Sequence, residues 1–562
     1  MDPDSIIQPN LPRSKLAASL AAYIPMDRRF ALAKGQALPD RTRGAALFAD
    51  VSGFTAVSVV LDEELGSQRG AEELTGHLNR VFGALIAQVH RYHGSVVSFA
   101  GDAITCWFDR SAADGDEEAS ARLALTAALA MQATMRHLEA ITTPSGNVLP
   151  LTVKIAITAG AVRRFQVSDN QDHQTDTLAG ALLERLTADQ VALPGEVVID
   201  RQILELLGHE ILFSRDSDRR FEPPGVGART FAAAVTGLKQ PADPDPWPPA
   251  PALSPEIVGQ WMPEPVFRRL RRGEGEFISE LRLACSLFLR FGGLDYDNDP
   301  QSGEKLDRYM SWIGSVVNKH NGHLIKLTIG DKGCYIHAAF GALQAFEDDA
   351  AMCTAAALEL LSPPAALSFI DSIQIGMSRG QTRSGAYGSQ ARRIYGVHGR
   401  QVNIAARLMM LANPGQILAT EALARAAAEL TEFQEFGPLA VKGLDEPLLA
   451  FEVCRMLPYN ARFAAPGGAA RASGKLAPII GRAVERSQFA DQLRALQKGH
   501  SSQAIIEGEA GIGKSRLMEE LVAQSRMVGL EPLLGAGLAI EQTTPYHGWL
   551  PVLLTLLNVA ES

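Results

Sequence analysis

The chain has 562 residues, 46% hydrophobic and 21% charged, with a net charge of −10. Such a length suggests roughly three or four domains, and the composition excludes a fibrous or disordered chain. The acidic balance, with no basic tract interleaved with aromatics, argues against nucleic acid as a partner. No segment reaches about 18 uninterrupted apolar residues, so no membrane span is expected. The start MDPDSIIQPN lacks the cationic and apolar pattern of a secretory signal. Five scattered cysteines (Cys106, Cys285, Cys334, Cys353 and Cys454) suit reduced thiols in a cytoplasmic protein.

Two breaks divide the chain. GLKQPADPDPWPPAPALSPE, residues 237–256, reads as a stiff extended linker because its prolines forbid a helix or central strand. PYNARFAAPGGAARASGK, residues 458–475, reads as a flexible connector. The expected units are a lead-in over 1–39, then 40–236, 257–457 and 476–562.

The first unit reads as strand (GAALFADVSG), helix from about Glu72 to Tyr92, hairpin (GSVVSFAGDAITCWF), helix, strand (LTVKIAITAG). The second repeats that order: LACSLFLRFGG, a helix from about Glu304, GHLIKLTIGDKGCYIHAAFG, a helix from about Asp348, and SIQIGMSRG. The order βαββαβ is that of a ferredoxin-like unit, an antiparallel sheet with helices on one face, and the fold class is α+β. Each hairpin turn carries Gly-Asp, at Gly101-Asp102 and at Gly330-Asp331.

In LFADVSGFT, Asp50 ends a buried strand beside a small turn. Asp and Ser favour caps and turns, so a helix N-cap is the plain reading. The alternative is a metal ligand beside a phosphate-cradling turn. In a ferredoxin-like sheet the first strand neighbours the hairpin, so Asp50 and Asp102 should converge at one edge. Two like charges there are unfavourable unless a hard cation such as Mg²⁺ offsets them. The turn Val51, Ser52, Gly53, Phe54, Thr55 offers backbone N–H groups to phosphate.

DVSGFT followed by FAGDA resembles the first catalytic half of class III nucleotidyl cyclases. The resemblance covers nearly all of residues 30–457 and is nearest to the soluble, bicarbonate-responsive adenylyl cyclases with tandem cyclase domains and an NTPase region. It implies two cyclase homology domains forming a pseudo-heterodimer. It also implies metal ligands at Asp50, Val51 (carbonyl) and Asp102. The cofactor would be Mg²⁺ or Mn²⁺, with Ca²⁺ at one position. In the second unit the resemblance makes Lys326 of HLIKLTIGDKG the base-recognition lysine. VNIAAR resembles the family's VNxAxR helix, so Asn403 would orient the ribose and Arg407 would stabilise the pentavalent phosphate. Those two are four apart and share one helix face. Lys154 of LTVKIAITAG matches a triphosphate-binding lysine. The implied reaction is in-line attack of the ATP ribose 3′-hydroxyl on the α-phosphorus, giving cyclic AMP and pyrophosphate.

The second cleft of such a pair reads as degenerate. Arg290 stands where the first unit has Asp50, and a cation cannot ligate Mg²⁺. A small-molecule regulator is the family's occupant there. Ser98 in place of a lysine, and Arg185 out of spacing, argue against bicarbonate. Gly396 of YGVHG stands where adenylyl cyclases usually have Asp or Thr, leaving the Val397 backbone to read the base. ATP is favoured. The alternatives are a guanylyl or mixed-specificity cyclase, or a catalytically silent nucleotide-binding scaffold.

In the third unit, IIEGEAGIGKSRL fits a P-loop, with Gly508, Gly511, Gly513, Lys514 and Ser515 around a second nucleotide, after the strand AIIEG and before a helix. The preceding IIGRAVERSQF resembles the entry to AAA-like signalling NTPases, which points to signalling partners through this region. Only 48 residues follow Lys514, so the chain is expected to be a piece of a longer protein.

Overall fold

The computed structural model describes residues 19–110, 115–138, 140–169, 173–186, 192–221, 230–271, 280–330, 333–346, 348–440, 447–457, 481–508 and 512–533, with a few isolated positions beyond. The chain enters through helix α1 (Met26–Ala33) into strand β1 (Arg41–Ser52). Four consecutive residues of β1, Gly44–Leu47, are buried, which requires cover on both faces of the sheet. Ala45, Leu47, Ala49 and Val51 join a core with Phe82, Leu85 and Ala128 from the helices. Ala46 and Phe48 face the other way, against Val97, Trp107 and Ile329. Side chains alternate along a strand, so Asp50 belongs to this second face.

The first unit continues with α2 (Phe54–Arg91), β2 (Ser95–Ala100), β3 (Ala103–Asp109), α3 (Glu117–His137), the short pair β4 (Ile141–Thr142) and β5 (Val148–Leu149), β6 (Thr152–Ser168), β7 (Gln174–Ala179), α4 (Ala181–Arg185), β8 (Val197–Asp200), α5 (Arg201–Leu207), β9 (Ile211–Phe221) and β10 (Thr230–Leu238). Its sheet runs β2-β3-β1-β6-β8-β10-β9, with β7 paired to β6. The first four strands are antiparallel neighbours in the split βαβ order. The helix expected from Glu72 begins instead at Phe54, directly after Gly53, and bends at Gly66.

After α6 (Pro255–Gly259) and α7 (Glu264–Arg271), the second unit repeats the plan. It comprises β11 (Glu280–Phe291), α8 (Ser302–Lys319), β12 (His323–Gly330), β13 (Gly333–Phe340), α9 (Asp349–Leu360), β14 (Ile373–Gly388), β15 (Arg393–His398), α10 (Arg400–Leu411), β16 (Ile417–Thr420), α11 (Glu421–Ala427), β17 (Thr431–Leu439) and β18 (Leu448–Met456). Its sheet runs β12-β13-β11-β14-β16-β18-β17, with β15 on β14. The registers coincide: Asp50 faces Ala103 and Lys154, while Arg290 faces Tyr335 and Gln374.

The units embrace through their β6–β7 and β14–β15 arms. Gly388 N–H donates to Asn79 Oδ1 at 2.9 Å, and the Tyr387 ring lies 5.6 Å from that of Phe99. Reciprocally, Ser168 N–H donates to Asp307 Oδ1 at 2.8 Å. Phe165 packs on Gly303, where a built Cβ would lie 2.9 Å from its ring.

The lead-in is part of this junction. Leu20, Tyr23 and Ile24 enter the core of Trp261, Phe288 and Val402. Arg28 and Arg164 grip Asp176, all three buried. Arg392, also buried, bonds the Tyr23, Val96 and Val97 carbonyls. The expected spacer 237–256 is likewise held: Trp247 Nε1 donates to the Gly94 carbonyl at 2.8 Å and its ring lies 3.8 Å from His93. Residues 458–475 lie outside the described residues.

In the third unit α12 (Ala483–Gln497) packs on α13 (Lys514–Met527). The strand expected at AIIEG is not formed, and Ile505 is 91% exposed. Among the described residues no other strand lies beside it, so its backbone has no ladder to join.

Candidate functional site

Asp50 is the penultimate residue but one of β1, half-buried, and Asp102 lies in the β2–β3 turn. The register puts Asp50 opposite Ala103, and Val51 N–H donates to the Asp102 carbonyl at 3.1 Å. The two aspartates therefore share one strand end. Lys154, half-buried, is the direct partner of Asp50 on β6, which places both on the same face.

The following turn depends on glycine. Gly53 has φ +109°, and a Cβ there would meet the Pro150 carbonyl oxygen at 2.9 Å. The first helical bond of α2 runs from Val57 N–H to the Gly53 carbonyl. The N–H groups of residues 54–56 thus head the helix without intrahelical partners, a suitable place for phosphate oxygens. Ser52 is half-buried. Phe54 is 6% exposed and its ring belongs to the core, so any ligand contact from it is through the backbone. The Thr55 side chain lies outside the described residues.

In the second unit, Asn403 is exposed and Arg407 half-exposed on α10, one turn apart on one face. Neither makes a side-chain hydrogen bond or ion pair among the described residues. Their helix is fixed by its opposite face. Val402, Ala405 and Met409 enter one core and Ile404 and Leu408 another. Gly376 lets the helix approach β14, since a Cβ there would meet Met409 N at 2.1 Å. Ser378 Oγ donates to the Gln401 carbonyl at 2.7 Å.

Lys326 lies on β12 opposite His337 of β13. Burial pulls its ammonium down to about 7. His337 stacks on Phe288 at 4.3 Å and is driven down to about 3 by burial, then by His398 and Lys326. His398, at the end of β15, is lowered to about 4 by burial, then by Lys326 and Arg383. Both histidines escaped the sequence reading. His398 follows Val397 in the motif, and its buried neighbours were the missing signal. Val397 pairs with Ser384, so its backbone is held in the β14–β15 ladder.

The pseudo-equivalent region carries protein–protein contacts in place of those donors. Arg290 takes the place of Asp50, and its guanidinium lies under Gly333, where a built Cβ would be 3.0 Å from Nε. Arg290 donates to Gln374 at 3.4 Å, and Gln374 stands where the first unit has Lys154. Asp297 accepts from Ala181 N–H at 2.8 Å, capping α4, the short counterpart of α10. Buried Arg163 chelates Asp40 and donates to the carbonyls of Tyr296 and Asp299 at 3.0 and 3.1 Å. Arg185 is engaged with the Ala159 carbonyl at 2.8 Å. Ser98 and Lys326 instead line one small cavity with Asp176 and Arg392, about 90 Å³. Asp331 lies outside the described residues.

In the stretch expected to form a P-loop, Gly513 (φ +101°) heads α13 and Lys514 is its first residue. Gly508 lies in the stretch without regular secondary structure before it, while Gly511 and the Ser515 side chain lie outside the described residues.

Two carboxylates at one strand end are oxygen donors, the type that a hard divalent cation takes. Among the described residues no group of three or more His, Cys, Asp or Glu could hold a metal, so the rest of such a shell would come from backbone, substrate and water. Also among them, no helix is long and apolar enough to cross a membrane.

Residues 298–453 match the family model of the adenylate and guanylate cyclase catalytic domain. Adenylate cyclase type 10 of Mus musculus is 23% identical over 509 residues, covering 85% of this chain and 30% of that protein. The chain thus spans about 30% of the length of the curated relatives it matches over most of its own. An uncharacterized protein of Mycobacterium tuberculosis is 37% identical over 119 residues, 21% of this chain and 31% of that one. Among solved structures, a class III adenylyl cyclase-like ATP-binding protein from Pseudomonas aeruginosa aligns over 74% of this chain and 93% of its own, at 11% identity and a TM-score of 0.46.

Proposed function

We propose that this chain, a class III nucleotidyl cyclase by family, converts ATP to cyclic AMP and pyrophosphate in one cleft between its two cyclase units. The observation that carries the reading is the asymmetry of the repeat. Asp50, Asp102 and Lys154 mark one strand end, and Arg290 and Gln374 mark its counterpart.

Asp50, Asp102 and the Val51 carbonyl would hold the divalent cations, two Mg²⁺ or Mn²⁺ with Ca²⁺ suited to one position. Such ions acidify the ribose 3′-hydroxyl and offset charge on the phosphates. The amides at the head of α2 and the Lys154 ammonium bind the β- and γ-phosphates and hold the departing pyrophosphate. Asn403 orients the ribose so that its 3′-oxygen stands in line with the α-phosphorus. Arg407, a permanent forked cation, takes up charge growing on the α-phosphate. Lys326 donates to a ring nitrogen of adenine, and the Val397 backbone borders the base. The ribose proton leaves to solvent or to the product pyrophosphate. A cytoplasmic setting accords with five free cysteines. The P-loop would take a second nucleotide.

A guanylyl or mixed-specificity cyclase is the second reading, favoured by Gly396 in place of a side-chain base reader. Cyclic nucleotide formation from ATP and from GTP with Mn²⁺, in wild type and Arg407→Ala, separates these. Product from ATP that is lost in Arg407→Ala supports the first reading, and equal rates with GTP support the second. No product from either leaves a silent nucleotide-binding scaffold.

A further inference from the structure

Gly396 removes a side chain from the strand that borders the base, and the structure shows what occupies the space. A Cβ built on Gly396 would lie 2.3 Å from Tyr387 Cε1 and 3.0 Å from His398 Nε2. Residues two apart on a strand share a face, so His398 looks out on the side that a residue at 396 would use. Tyr387 crosses both positions, with its ring edge-on to His398 at 4.2 Å. It is buried against Phe82 and Phe99 of the first unit, so this face of β15 turns toward the junction between the units.

His398 Nε2 is enclosed and has no hydrogen-bond partner among the described residues. So is Nε2 of His337, which is 6% exposed and stacked on Phe288. His337 is the cross-strand partner of Lys326. Enclosed polar atoms without a partner are costly in a folded protein, and a site for a polar ligand is one place where they are tolerated.

We propose that His398 is the residue that contacts the exocyclic group of the purine, in the role that Gly396 cannot fill, and that His337 is a positioning residue for Lys326. This rests on the reading that the cleft takes a nucleotide base at Lys326. Lys and Arg side chains are donors only, whereas a neutral imidazole can accept. Burial beside Lys326 and Arg383 keeps the His398 ring neutral at physiological pH. A donor at Lys326 and an acceptor at His398 match the ring nitrogen and 6-amino group of adenine. At the same place guanine carries an oxo acceptor, which would face the Nε2 lone pair of the tautomer protonated at Nδ1. Discrimination by one hydrogen bond inside an enclosed site is thereby separated from side-chain bulk at residue 396. The Tyr387 ring leaves no room for such bulk.

The test is kcat/KM for ATP and for GTP, with Mn²⁺, in the full chain. The wild type should prefer ATP. His398→Phe keeps a ring but no acceptor, and should lower the ATP-to-GTP ratio about tenfold, mostly through KM for ATP. His398→Gln, whose amide oxygen accepts, should restore part of the ratio. His337→Phe should raise KM for ATP and shift the pH dependence assigned to Lys326, which a purely structural role would not move. An unchanged ratio in folded His398→Phe, or a wild type that prefers GTP, overturns the proposal. If the wild type turns over neither nucleotide, the adenylyl reading falls separately. Displacement of a fluorescent ATP analogue from Lys514→Ala chains, by ATP and by GTP, then decides. Loss of ATP preference in His398→Phe supports the proposal, and an unaltered preference overturns it.

Discussion

Asp50 on β1 stands directly across from Lys154 on β6, an acid and a base on one face at one strand end. In the repeat the same pair is Arg290 and Gln374. Asp50→Asn is nearly isosteric and removes only charge. It should lower cyclic nucleotide formation by about 10²–10³-fold, as loss of a preorganised electrostatic group does. Thermal unfolding should be little altered. Lys154→Gln, which copies the repeat, should raise KM for ATP more than it lowers kcat.

The second cleft should not bind nucleotide. Arg163 and Asp297 close it through backbone contacts that a ligand would have to break. Calorimetric titration of Lys514→Ala chains with ATP and Ca²⁺ should show one site per chain. Arg163→Ala leaves the buried Tyr296 carbonyl without this donor and should cost about 1–3 kcal/mol of stability in denaturant unfolding. That loss should come without a second bound nucleotide.

The grip of Arg28 and Arg164 on Asp176 ties the lead-in to the arm of the first unit. Burial alone would raise the Asp176 carboxyl, but the two guanidinium groups outweigh it and hold it at about 2. Its ordinary value is about 3.9. The contribution to stability is therefore complete above about pH 4 and fades as pH falls toward 2. Asp176→Asn leaves buried Arg28 without a carboxylate and Arg164 with Asp27 alone, and should destabilise by about 3–5 kcal/mol at pH 7. The acid-induced part of unfolding should flatten in that variant.

Burial lowers Lys326 to about 7, so the free protein carries the ammonium below that pH and the amine above it. If the ammonium is the base-reading donor, kcat/KM for ATP should fall above pH 7 and kcat should fall less. In Lys326→Met the activity should be low and this limb absent. A wild-type profile flat from pH 6 to 9 would separate Lys326 from base recognition.

The repeat, the strand order and the strand-end position of Asp50 were legible because they rest on local signals, namely apolar alternation and Gly-containing turns. The α2 start was misjudged because Gly53, read as a loop residue, also heads a helix through its positive φ. The part the lead-in plays in the junction was not legible because its partners are distant in sequence: Arg28 meets Asp176, 148 residues on. His337 and His398 were invisible as a pair, since only the β12–β13 and β14–β15 registers bring them to Lys326. The strand expected at AIIEG failed for the converse reason. Its local pattern was sound, but a strand needs a neighbour.

The most direct test of the account is cyclic AMP formed from ATP by the purified chain with Mn²⁺, wild type beside Asp50→Asn and Arg407→Ala. Each residue comes from a different unit. The account predicts product from the wild type and at least about 10²-fold less from either variant, with all three equally folded. Undiminished product from either variant would contradict a single cleft shared between the two units.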